Sequence, residues 1–112
     1  MAKIYDTEGK ILTGDSFPQL KIGKELFVID NRKKTYDKIQ KLISEGQTKP
    51  KDDVDYDMGV VELALGQDKK QIKKVRDMDL KVKEFNELTI YIMAAIQEEE
   101  YEKIKEAMAK NQ

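Results

Sequence analysis

The chain has 112 residues, of which 38% are charged, and 21 basic against 22 acidic side chains leave a net charge of -1. That length suits one domain with one modest core, and the balance of sign gives no general attraction to nucleic acid or to an anionic membrane surface. With neither Cys nor His in the sequence, disulfides, thiol chemistry, imidazole proton transfer and the compact zinc sites built from these ligands are excluded.

The opening Met1–Asp6 reaches a carboxylate before any apolar stretch, unlike a signal peptide. The longest nearly apolar run, Thr89 to Ile96, falls well short of the roughly 20 residues that span a bilayer. The expectation is a cytoplasmic protein without membrane association.

In the first thirty residues Gly9, Gly14, Pro18 and Gly23 punctuate short runs, and Leu26-Phe27-Val28-Ile29 is apolar and β-prone. Gln19 to Ile22 and Glu25 to Ile29, joined around Gly23-Lys24, predict a hairpin. Asp30 then offers an N-cap, and Tyr36, Ile39, Leu42 and Ile43 recur at helical spacing, predicting a helix over Asn31 to Ser44. Glu45 to Asp53, with Gly46 and Pro50 and no apolar period, reads as an exposed connection. A second helix follows Asp53, with Tyr56, Val60, Leu63 and Ala64 on one side, and ends at Gly66 in the left-handed conformation. Asp68 caps a short basic helix with Ile72 and Val75 inward and Lys69, Lys70, Lys73, Lys74 and Arg76 outward.

The strongest helical signal runs from Leu80 to Ile96, where Val82, Phe85, Leu88, Thr89, Ile92, Met93 and Ile96 recur at steps of three and four. From Leu88 onward Ile90, Tyr91, Ala94 and Ala95 spread apolar character around the circumference, as a central core helix requires. After Glu98-Glu99-Glu100, the residues Tyr101, Ile104 and Met108 form a thinner stripe on a tail helix. The predicted fold is α+β, a short N-terminal hairpin followed by a compact bundle of four to five helices. It forms a single domain with a strand and turn region over 1–30, a helical core over 31–97 and an amphipathic tail helix over 98–112.

No catalytic motif emerges. Gly9 to Ser16 has the glycine spacing of a phosphate-binding P-loop, but Asp15 stands where the motif needs Lys and would repel phosphate. Asp53-Val54-Asp55-Tyr56-Asp57 imitates an EF-hand opening, yet Gly59 comes one residue late and Ala64 replaces the closing bidentate Glu. An acid-rich helix start explains the run. The basic Lys69–Arg76 face has no interleaved aromatic, and the chain holds only two Arg, so a solvated face is the simpler reading than a nucleic-acid site. The two serines, Ser16 and Ser44, sit in no nucleophile motif. The expectations are therefore no enzyme activity, no cofactor, no metal and no nucleic acid.

What remains is protein binding. Met78, Met93 and Met108 lie near Tyr91, Tyr101 and Ile104 in the C-terminal third, and Met side chains adapt to varied partners in grooves that receive amphipathic helices. Core packing is the simpler account of any single one of these residues. Of the apolar features, the tail stripe is the better interface candidate.

The order of several segments resembles tail assembly chaperones of long-tailed, siphovirus-like bacteriophages and prophages of Gram-positive bacteria. These are the strand pair ending in Val28-Ile29-Asp30-Asn31-Arg32 with Tyr36 and Ile39 following, Glu62-Leu63-Ala64-Leu65-Gly66, Met78-Asp79-Leu80, and Ile90-Tyr91-Ile92-Met93-Ala94-Ala95-Ile96-Gln97, spanning roughly residues 19 to 97. The resemblance implies a protein of the host cytoplasm that binds the helical tape-measure protein, with the tail tube protein as a further partner, before the tube polymerises. It transfers no catalytic residue. It implies that Tyr91, Met93, Tyr101, Ile104 and Met108 help to receive apolar partner helices, while the Lys and Glu residues keep the complex soluble. Members of the family are often made in a short and a frameshifted longer form, and Ala109-Lys110-Asn111 can be encoded on a slippery adenine run. Self-association stays open, as do two other classes: a structural virion component such as a tail or head-tail connector subunit, and a small DNA-binding regulator using the basic helix.

Overall fold

The structure is a computed structural model and describes residues 17–110. Two short strands, β1 (Gln19–Ile22) and β2 (Glu25–Val28), form an antiparallel hairpin in which Gln19 faces Val28 and Ile22 faces Glu25. Gly23 opens the two-residue turn with φ +62°, a value glycine adopts without the Cβ clash other residues suffer. The alternation places Leu20, Ile22 and Phe27 toward the core, whereas Leu26, opposite Lys21, is 62% exposed. Pairing continues one step past β2, because the Ile29 amide donates to the Pro18 carbonyl at 2.9 Å.

Five helices follow: α1 (Lys33–Thr48), α2 (Tyr56–Ala64), α3 (Lys69–Asp77), α4 (Val82–Gln97) and α5 (Tyr101–Lys110). The predicted α+β class and the order hairpin-then-helices are what the structure has. Several local expectations are corrected. Asp30 is not the N-cap of α1. The helix begins at Lys33, two residues after the predicted start, and the buried Asp30 carboxylate braces it from below, accepting from the Arg32 amide at 3.1 Å and the Thr35 hydroxyl at 2.7 Å. At its other end α1 runs past Gly46 to Thr48, ending only where Pro50 forces the preceding residue out of helical geometry. Gly46 is tolerated there because the Tyr56 ring of α2 packs against its bare Cα.

The predicted role of Gly66 also changes. Gly66 does not take a left-handed φ. Its lack of a side chain matters because a Cβ would lie 2.7 Å from the Glu62 carbonyl oxygen. On α3 the buried positions are Gln71 and Val75, one turn apart, and the predicted inward residue Ile72 is only half-buried. Val82, expected to face inward, is 75% exposed, since the first turn of α4 precedes the stretch that its neighbours cover.

From Leu88 onward α4 is the centre of the bundle, with β1, α2 and α5 packed against it and Leu88, Ile92, Met93, Ala94 and Ile96 buried. On the other side of the core α1 lies against α2. At Gly59 the approach leaves no room for a side chain, because an added Cβ would stand 2.6 Å from Leu42 Cδ2. Gln71 links three elements: its Oε1 accepts from the Val28 amide at 2.7 Å, and its Nε2 donates to the carbonyls of Val28 at 3.1 Å and Leu65 at 3.3 Å. The outer edge of β2 is thus satisfied by a side chain instead of a third strand.

Candidate helix-binding cleft

From Tyr36 onward α1 is apolar on the side facing α4 and polar without charge at its rim. Periodicity creates this division, with Tyr36 and Ile43 inward and Gln40, Ser44 and Gln47 one position further round. Across from it α4 contributes Met93 and Gln97, and α5 contributes Ile104, Ala107 and Met108, enclosing a cleft of about 270 Å³. A second cleft of about 460 Å³ shares Ile43, Gln47 and Met108 with the first and continues between α2 and the start of α4, reaching Tyr56, Val60, Asn86 and Ile90. The two adjoin as one groove, with Ile43, Gln47 and Met108 lining both parts.

The rim of this groove carries few charges. Asp57 of α2 and Lys105 of α5 are the charged residues along it among those described. Partial burial, with a smaller contribution from neighbouring Asp55, holds the Asp57 carboxyl above its ordinary range. Asp55 is the N-cap of α2, accepting from the Met58 amide at 3.0 Å, so the acidic run is a helix start, as its sequence implies.

The five residues expected to receive a partner occupy different environments. Met93 of α4 (3% exposed) and Ile104 of α5 (6%) are core residues that line the first cleft, and Met108 is half-buried where the two clefts adjoin. Tyr91 and Tyr101 lie apart from the groove and stack on each other, with ring centroids 4.3 Å apart, across the α4–α5 turn. Tyr91 is 46% exposed. The structure therefore brings Met93, Ile104 and Met108 together and leaves the two tyrosines as a separate pair. Sequence reading missed the α1 wall. Tyr36 and Ile43 recur at helical spacing and predict no more than a helix, and only the tertiary placement of α5 turns that face into one side of a groove.

The basic face of α3 is largely neutralised. Lys73 pairs with Asp77 at 2.9 Å, Lys74 with Glu25 at 3.6 Å, and Arg76 with Glu62. These exposed pairs add little stability, but they lower the positive potential available to a phosphate backbone. Elsewhere Arg32 grips Asp30 through both Nε and Nη2, at 3.0 and 2.9 Å. That guanidinium is the main reason the Asp30 carboxyl is held below its usual range, against the opposing effect of burial and with help from Thr35.

Among the described residues no group of side chains is arranged to hold a metal ion, and no helix is long and apolar enough to cross a membrane. The P-loop-like segment, Gly9 to Ser16, lies outside the described residues. Comparisons with protein-family models, with curated proteins and with solved structures find no match to this chain.

Proposed function

We propose that the protein is a tail assembly chaperone of the phage or prophage type, holding apolar helical stretches of a tape-measure protein in the groove between α1, α2, α4 and α5 in the host cytoplasm. The observation that carries this reading is the groove itself: an apolar lining of Ile43, Met93 and Ile104, edged mainly by the uncharged Gln40, Ser44, Gln47 and Gln97, with Asp57 and Lys105 as its charges. Such a channel gains from burying an amphipathic helix and, with little charge at its edge, selects weakly among helix sequences. A chaperone for a long protein with many similar apolar stripes needs that tolerance. The densely charged exterior keeps the complex dissolved while the stripes are covered. The order of segments that resembles the chaperone family runs through the α1 start and α4, both of which border the groove.

The DNA-binding alternative is disfavoured by the ion pairs that occupy three of the five basic side chains of α3. Co-expression with apolar helical segments of a tape-measure protein tests the proposal. The wild-type chain should keep those segments soluble and co-purify with them. Ser44→Arg, a change at an exposed rim position that leaves the core intact, should abolish co-purification. Equal recovery with Ser44→Arg, or insoluble segments in the presence of the wild-type chain, would count against it. A chaperone is also absent from finished particles, whereas a structural tail component is retained in them.

A further inference from the structure

We infer that α5, one wall of the groove, is a displaceable cover over the apolar faces of α1 and α4, seated where a partner helix binds, and that the α4–α5 junction switches between a bent form and a continuous helix. This rests on the reading of the groove as a helix-binding site and adds how that site is opened.

The sequence from Thr89 to Lys110 contains no Gly and no Pro, and Glu98, Glu99 and Glu100 are good helix formers. Local preference alone would carry α4 straight into α5. The chain instead turns at Glu98, which takes φ +52°, a left-handed conformation that costs a residue with a Cβ what it does not cost glycine. The bend is held by the capping hydrogen bonds that the Glu98 and Glu99 amides donate to the Ala95 and Ala94 carbonyls, at 3.3 and 2.9 Å, and by what α5 gains from docking. That gain is small: of its ten residues only Ile104 is buried, with Tyr101 and Met108 half-buried, and α4 is its one extensive neighbour. A helix of this length has little stability of its own, so α5 belongs to the part of the molecule that opens first.

The resident also defines the ligand. Ile104 and Met108 fall at i and i+4 on the face of α5 that lines the cleft, the spacing by which an amphipathic helix presents apolar anchors. The occupant that replaces α5 is a single amphipathic helix of the partner with large apolar residues at those two positions. When it binds, α5 leaves, Tyr91 and Tyr101 separate, and α4 extends from Val82 to Lys110 as one helix about 43 Å long.

The test uses the full chain and, as probe, a fluorescein-labelled peptide with the sequence of residues 98–112, titrated by anisotropy. Ile104→Asp ejects α5 and should bind the peptide at least about ten-fold more tightly than wild type, because its groove is already free. Glu98→Gly removes the strain of the bend, favours the docked form and should bind about five-fold more weakly than wild type. Should Ile104→Asp fail to fold, as judged by circular dichroism, the Glu98→Gly comparison and hydrogen exchange decide. Amides of 104–110 should exchange far faster than those of 92–96 in the free wild-type chain. Equal peptide affinity for wild type and Glu98→Gly, or α5 amides as protected as those of α4, would overturn the inference. Tape-measure segments that bind wild type and Glu98→Gly equally would overturn it while leaving the chaperone reading intact. Peptide binding in the expected order without any tape-measure binding would support the switch and remove the chaperone reading.

Discussion

Gln71 offers the sharpest test of how the fold is held together, because one side chain closes three backbone groups on two elements. Replacing it with Leu keeps most of the volume but leaves the Val28 amide and the carbonyls of Val28 and Leu65 without these partners at a position only 8% exposed. An orphaned buried donor costs about 1–3 kcal/mol, carbonyls somewhat less each, and the added apolar contact offsets part, so a net loss of about 3 kcal/mol is expected. For a domain of this size that lowers Tm by roughly 10–20 °C in a thermal melt followed by circular dichroism. Gln71→Glu separates the hydrogen bonds from the packing. One carboxylate oxygen still accepts from the Val28 amide, but the other faces the two carbonyls, so the ionised form is disfavoured and the folded pKa of Glu at this position is raised. Its destabilisation should be full at neutral pH and should shrink as pH falls through that raised value. A Leu variant within about 0.5 kcal/mol of wild type, or a Glu variant whose deficit does not change with pH, would refute this account of the β2 edge.

Other predictions follow the same pattern. Because the folded pKa of Asp30 lies below its ordinary 3.8, its contribution to stability is complete above that value and is lost as pH falls through the depressed one; the gap between wild type and Asp30→Asn in urea titrations should be wide at pH 7 and close on acidification. Gly59→Val forces Leu42 from its place between α1 and α2 and should cost roughly 2–3 kcal/mol, read as a lower urea midpoint with an unchanged slope. Val82→Lys should stay within about 0.5 kcal/mol of wild type, because the side chain stands in solvent. A loss comparable to that of a core residue would mean that the first turn of α4 is covered.

The hairpin and the five helices were legible because each carries its signal locally: Gly23 at the turn, Asp68 before α3, and the three-and-four spacing of Leu88, Ile92 and Ile96. The misses have a common cause in tertiary contact. Gln71 looks like one more polar residue on a basic helix until β2 presents an unpaired edge to it. Gly46 reads as a breaker until Tyr56 packs on it, and Asp30 reads as a cap although it works from beneath the first turn. The α4–α5 break was legible only as a run of three acids, since no residue there forbids a helix. The candidate site was half legible. The tail stripe was legible from spacing, but the wall across the cleft from it belongs to α1, far away in sequence, and the stacking of Tyr91 on Tyr101 places both outside the groove.

If the groove between α1, α4 and α5 receives an apolar helix, the amides of the residues that line it change their environment on binding. The most direct measurement is a titration of the isotopically labelled chain with a synthetic amphipathic segment of a tape-measure protein, followed by amide chemical shifts. Saturable changes at Ile43 and Gln47 of α1, at Ile90 and Met93 of α4 and throughout α5, with α3 and the hairpin unmoved, are the predicted result. Changes confined to the Lys69–Arg76 face of α3 or to the hairpin, or none up to saturating peptide, would contradict it.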